Sequence, residues 1–123
     1  MNDINDLLDR IIACAEEVHR RRGPGQPESA YTETLGAEFA KAAIKYQANV
    51  PVPILCGESA LGRYHLDFVV EDAVIVEIKT SDQIAQVHEA EVLTYLTASG
   101  MRTGLLINFS SRVLRDGIKR VTI

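Results

Sequence analysis

The run Leu66-Asp67-Phe68-Val69-Val70-Glu71-Asp72-Ala73-Val74-Ile75-Val76-Glu77-Ile78-Lys79 constrains what this chain can fold into more than any other. Apolar and charged residues alternate on either side of an acidic break, the pattern of a β-hairpin. Side chains repeat every second residue along a strand. Leu66, Phe68 and Val70 therefore share one face, and Val74, Val76 and Ile78 share one face. The two apolar faces coincide only if paired residue numbers sum to an even number. The loop Glu71-Asp72-Ala73 pairs Val70 with Val74 and meets that condition. Asp67 then lies opposite Glu77, with Cβ atoms roughly 4.5–5.5 Å apart. Lys79 falls two residues along on the same face, near His65.

Like charges directly opposed destabilise a sheet. A divalent cation between two carboxylates removes that penalty, and Mg²⁺ or Mn²⁺ takes oxygen ligands of this kind. The bland alternative is a solvated face of an antiparallel sheet. Val69 and Ile75 share the Asp67–Glu77 face, so that face is not simply solvated. The pattern points to a metal-dependent hydrolytic site.

At 123 residues the chain fits one domain, residues 1–123, with enough length for one core. Hydrophobic residues make up 46% and charged residues 24%, the balance of an ordinary globular protein. No apolar run approaches the ~20 residues of a membrane-spanning helix. Asp3 and Asp6 interrupt the N-terminus, which does not resemble a signal peptide. Cys14 and Cys56 are too few for a disulfide framework and lack metal-ligand spacing. A cytoplasmic protein with reduced thiols is the expectation. The formal net charge of −4 argues against coating nucleic acid by bulk charge. Local basic surface is still available, since Arg20, Arg21 and Arg22 are consecutive and Arg112, Arg115, Lys119 and Arg120 lie close in sequence. Their bland reading is solvated faces and helix-end charges.

Residues 3–21 predict an amphipathic helix with Ile4, Leu7, Leu8, Ile11, Ile12, Ala15 and Val18 on its apolar stripe. Asn2 or Asp3 caps it, and Gly23-Pro24-Gly25 ends it. A second helix is expected from about Pro27 to Ile44, with Tyr31, Leu35, Phe39 and Ala42 apolar. The strand from about Tyr46 to Leu55 carries Pro51 and Pro53 and so belongs at a sheet edge. After the hairpin come a helix from about Ile84 to Ser99, a buried strand Thr103–Phe109 and a last strand Ile118–Ile123. The order α-α-β-β-β-α-β-β predicts an α/β (α+β) domain with a mixed sheet partly covered by helices.

Glu28 lies on the stripe of Tyr31 and Leu35, where a carboxylate needs a partner or a metal. Equally, it is a first-turn Glu favoured by the helix dipole with its head in water. On the third helix His88, Glu91 and Tyr95 share one face. Ala90, Leu93 and Leu96 are expected to face the core, which makes the first face an ordinary solvated one with a snorkelling Tyr. His19 reads as a cation at a helix C-terminus, and His65 as a substrate-contact candidate.

Gly25-Gln26-Pro27-Glu28-Ser29-Ala30-Tyr31 has the pattern GxxExxY. It follows "VHRRRGPG" and precedes "YQANVPVPI", "YHLDFVVEDAVIVEIKT", "VHEAEVLTYL" and "GLLINF…DGIKRV". These blocks, from about Ile11 to Val121, resemble the GxxExxY proteins, a family placed in the PD-(D/E)XK nuclease superfamily. The resemblance implies a restriction-endonuclease-like core, α-β-β-β-α-β, here with an extra N-terminal helix and a C-terminal strand. It implies catalytic Glu28, Asp67, Glu77 and Lys79, with Asp67, Glu77, Glu28 and the main-chain carbonyl of Ile78 around Mg²⁺ or Mn²⁺. Glu91, Tyr95, Tyr31 and His65 are auxiliary. Glu91 stands where the family pattern has Gln, a departure that touches the role of the third helix. The expected activity is Mg²⁺-dependent phosphodiester hydrolysis of nucleic acid, DNA before RNA, with a homodimer left open. The rival is a catalytically inactive domain of the same fold that binds nucleic acid or a protein partner.

Overall fold

The computed structural model describes residues 3–56, 59–82 and 84–123, with side chains for all of these except 54–56 and 59–61. Asn2 and the thiol of Cys56 lie outside the described residues. Helix α1 (Ile4–Arg22) is capped by Asp3, whose Oδ1 accepts from the Asn5 N–H at 3.1 Å. It buries Leu7, Leu8, Ile11, Cys14, Ala15 and Val18 and closes at Gly23, where φ is 67°. Helix α2 (Glu28–Lys41) buries Tyr31, Leu35 and Phe39. It stops short of the predicted end because Ala43 turns left-handed at φ 57°. That turn returns Ile44 to the core and leaves Ala42 exposed.

Five strands follow: β1 (Tyr46–Cys56), β2 (Ser59–Val70), β3 (Val74–Lys79), β4 (Thr103–Asn108) and β5 (Ile118–Thr122). They form one sheet in the order β1-β2-β3-β4-β5. The β3–β4 pair is parallel, made so by the crossover helix α3 (Gln86–Ser99), and the other pairs are antiparallel. This is the mixed α/β architecture that the element order predicts. β4 is buried along its whole length, as its unbroken apolar run requires. β1, with its prolines, is an edge strand.

The sheet separates two cores. Helices α1 and α2 pack on Phe68, Val70, Val74, Val76 and Ile78. Helix α3 packs on Val69, Ile75, Leu106 and Val121. Leu66 departs from the expected parity and joins the α3 side with Val52. The reason lies across the ladder. Asn49, opposite Asp67, adopts φ 54°, and the strand pairing passes from Ala48–Phe68 to Val50–Leu66 around it. A left-handed residue inside a strand rotates the faces that follow.

Candidate active site

The hairpin register places the site. Val70 pairs with Val74 and Phe68 with Val76, so Asp67 and Glu77 are the next residues along the two strands. There the ladder stops, and the Asp67 carboxylate takes over. Its Oδ2 accepts from the Ile78 N–H at 2.7 Å, so a side chain fills the place of a strand carbonyl. Glu77 follows Ile75 onto the α3 face and is only 6% exposed. Burial, reinforced by the charge of Asp67 and a hydrogen bond to its side chain, holds the Glu77 carboxyl well above the usual carboxylate range. Among the described residues its Oε1 is buried with no hydrogen-bond partner. An orphaned carboxylate oxygen beside a second carboxylate is costly in a folded chain.

This donor set fits a hard divalent cation, and Asp67 and Glu77 are the residues that would hold it. Among the described residues no group of three His, Cys, Asp or Glu side chains is close enough to form a complete ligand set. Glu28 therefore stands off from the pair. As the first residue of α2 it is exposed, so the apolar stripe of Tyr31 and Leu35 does not extend to it. It nevertheless lines an open depression with Asp67, Ala48 and Asn49. Partial burial, then the charge of Asp67, raises its carboxyl, and Lys79 opposes the shift. Glu28 thus lies within electrostatic reach of Asp67 and Lys79.

Lys79 is not beside His65, because β2–β3 pairing ends before either residue is reached. Its Nζ instead lies 3.4 Å from Glu91 Oε2 on α3. His65 is exposed and paired with Pro51 of β1, and the structure gives it no contact with the acidic pair. The expected faces of α3 are reversed for three residues: Ala90 and Leu93 are exposed, while Tyr95 is buried with Val92 and Leu96. The helix leans its Tyr95–Glu91 side onto the sheet, so Tyr95 is part of the core above Glu77. Burial first, then Glu77 and Glu91, push the Tyr95 phenol up to about 12, which keeps it a neutral donor. His88 serves the helix end instead, its Nδ1 accepting from the Ala85 N–H at 3.1 Å.

Tyr31 is a clasp more than a site residue. Fully buried, it stacks on Phe109 with centroids 4.6 Å apart. Its hydroxyl donates to the Gly23 carbonyl at 2.5 Å and accepts from the Gln26 N–H at 3.1 Å. The GxxExxY tyrosine thus ties down the turn that launches Glu28. Two residues that sequence reasoning passed over belong here as well. Tyr64, 47% exposed, rests its ring 5.1 Å from that of Tyr95. Asn108, buried, pairs in register with Lys79; its Oδ1 accepts from the Ser81 and Ser110 N–H groups and its Nδ2 donates to the Ser81 carbonyl. A polar residue closing an apolar strand was the available signal for Asn108; Tyr64 had none, since its partner is distant in sequence.

An acidic pair at a broken hairpin, with a lysine two residues on, sits in a five-stranded mixed sheet flanked by helices, the architecture of a PD-(D/E)XK nuclease domain. Comparison with known families agrees: residues 5–121 match the PD-(D/E)XK nuclease superfamily, and the chain belongs to it. Nothing among curated proteins or solved structures matches it.

Proposed function

We propose that the protein hydrolyses phosphodiester bonds in nucleic acid, DNA in preference to RNA, with Mg²⁺ or Mn²⁺, and that within its superfamily it is of the GxxExxY type. One observation carries the reading: the buried Glu77 carboxyl, with an unsatisfied oxygen, set against Asp67. Superfamily membership supports the nucleic-acid substrate. Asp67 and Glu77 would hold the cation, with Glu28 and the main-chain carbonyl of Ile78 as the further donors of the set. When bound, the cation supplies charge to polarise the scissile phosphate and to ease ionisation of a water. Water oxygen attacks phosphorus, the bond to the leaving oxygen breaks, and that oxygen takes up a proton. Lys79 presents its ammonium to the charge that develops on the phosphoryl oxygens. Its Nζ, 3.4 Å from Glu91 Oε2, is placed beside the acidic pair for this electrostatic role. Tyr95 offers a neutral O–H to the same region.

A divalent-ion titration against labelled nucleic acids tests the reading. Mg²⁺ should stabilise the fold by roughly 2.7 kcal/mol at a hundred times its Kd. Lys79→Ala should lower cleavage by on the order of 10²–10³ while keeping the thermal response to the ion. Asp67→Ala should abolish both. A wild-type melting temperature indifferent to divalent ions, together with no cleavage, would reject the proposal.

The Lys79–Glu91 pair favours one second reading, a domain that keeps the fold and binds without cutting. Glu91 occupies the family's Gln position and engages the lysine that cleavage needs. Activity that is absent in wild type and appears in Glu91→Gln would establish it.

A further inference from the structure

Three rings stack at the end of the sheet that carries Lys79: Tyr31 on Phe109, and Phe109 on His19 at 6.5 Å. His19 Nε2 donates to the Ser111 carbonyl at 2.8 Å, and the Phe109 N–H donates to the Lys79 carbonyl at 3.0 Å. The stack gathers the last turn of α1, the first turn of α2 with Glu28, and the loop that follows β4. Two of these segments carry the arginines, Arg20 to Arg22 on α1 and Arg112 and Arg115 on the loop. Arg20, Arg112 and Arg115 line one shallow depression with His19, which Glu16 and Asp116 also border.

Not all of this charge is available. Arg20 is held by Glu17 at 2.6 Å. Arg115 reaches Glu16 only at 4.0 Å with its side chain 85% exposed, and Arg112 has no ion pair among the described residues. Lys119 and Arg120, close in sequence, engage Glu89 and Asn5 instead. The chain is acidic overall and its centre is acidic, so a polyanion needs fixed positive charge beside that centre. Guanidinium groups suit phosphate oxygens.

We propose that the Arg112–Arg115 loop, with the end of α1, binds backbone phosphates of the nucleic acid next to the scissile bond; this rests on the nuclease reading above. The test measures fluorescence anisotropy of a labelled DNA duplex and of its single strand, in chelator, across a salt series. Arg112→Glu/Arg115→Glu should weaken binding about tenfold or more at low salt and reduce the slope of log K against log salt by about two. The thermal response to Mg²⁺ should be unchanged, and Lys119→Gln should bind like wild type. Arg112→Gln/Arg115→Gln, which removes charge without reversing it, gives the same readout if the reversed variant fails to fold. Wild-type affinity and slope in both double variants, with wild-type cleavage intact, overturn the phosphate rim and leave the nuclease reading standing. Wild-type protein that neither binds nor cleaves overturns both.

Discussion

A carboxyl group buried against a second carboxyl, as Glu77 is against Asp67, holds its proton more tightly in the folded chain than in the unfolded one. The sign of the pH effect follows. The contribution is fully present below the ordinary carboxylate pKa and is lost as pH rises through the folded value, pushed up to about 9. Metal-free protein should therefore lose melting temperature steadily between pH 5 and 9, and Glu77→Gln should flatten that slope. Equal slopes in the two proteins would refute the assignment. Because a cation must displace this proton, uptake of Mg²⁺ should release protons, more at pH 6 than at pH 9. Glu91 belongs to the same scale. Its pair with Lys79 is partly exposed, so Glu91→Gln should change stability by less than about 1 kcal/mol. Any large effect of that variant on cleavage would then be chemical and not structural, and comparing melts with rates separates the two.

Helix α3 is positioned by a glycine. A Cβ on Gly104 would meet Val92 Cγ1 at 2.8 Å and the Ile75 carbonyl at 3.5 Å, so α3 and the sheet approach as closely as they do only because β4 has no side chain there. Gly104→Ala should cost about 1–3 kcal/mol in chemical denaturation. It should also reduce activity by lifting Glu91 and Tyr95 away from Lys79, although position 104 touches none of them. Stability and activity both at wild-type level would mean that Val92 yields without moving the helix. Elements of this kind were legible in the sequence to different degrees. The hairpin register followed from parity together with the three-residue loop Glu71-Asp72-Ala73, because a slip by one residue would have turned Phe68 and Val76 to the wrong side. The unbroken apolar run of β4 announced a doubly covered strand. The lean of α3 was not legible: Leu93 and Tyr95 are both apolar enough for either face, and the choice depends on where Gly104 lets the helix settle. The shift of Leu66 to the other core was hidden for a similar reason, since it arises from the conformation of Asn49 on a neighbouring strand. Glu28 lay between two readings, and the structure keeps part of each.

At the scale of the whole molecule, the sheet has two open margins, β1 and β5. β5 shows Lys119 and Arg120 to solvent, and charge on an edge discourages pairing. β1 stays in register with β2 through Pro51–His65 and Pro53–Arg63, so the N–H groups that the prolines lack are those of the outward side. That margin presents acceptors with few donors to match them. Pro51→Thr/Pro53→Thr should leave the monomer's secondary structure intact by circular dichroism. It should also raise turbidity and thioflavin binding on prolonged warming. No rise in either signal would assign the protection elsewhere. The consequence reaches past stability. A second copy approaching β1 finds few donors on which to extend the sheet, so crowding many copies together should not convert this protein into fibrils built on that margin.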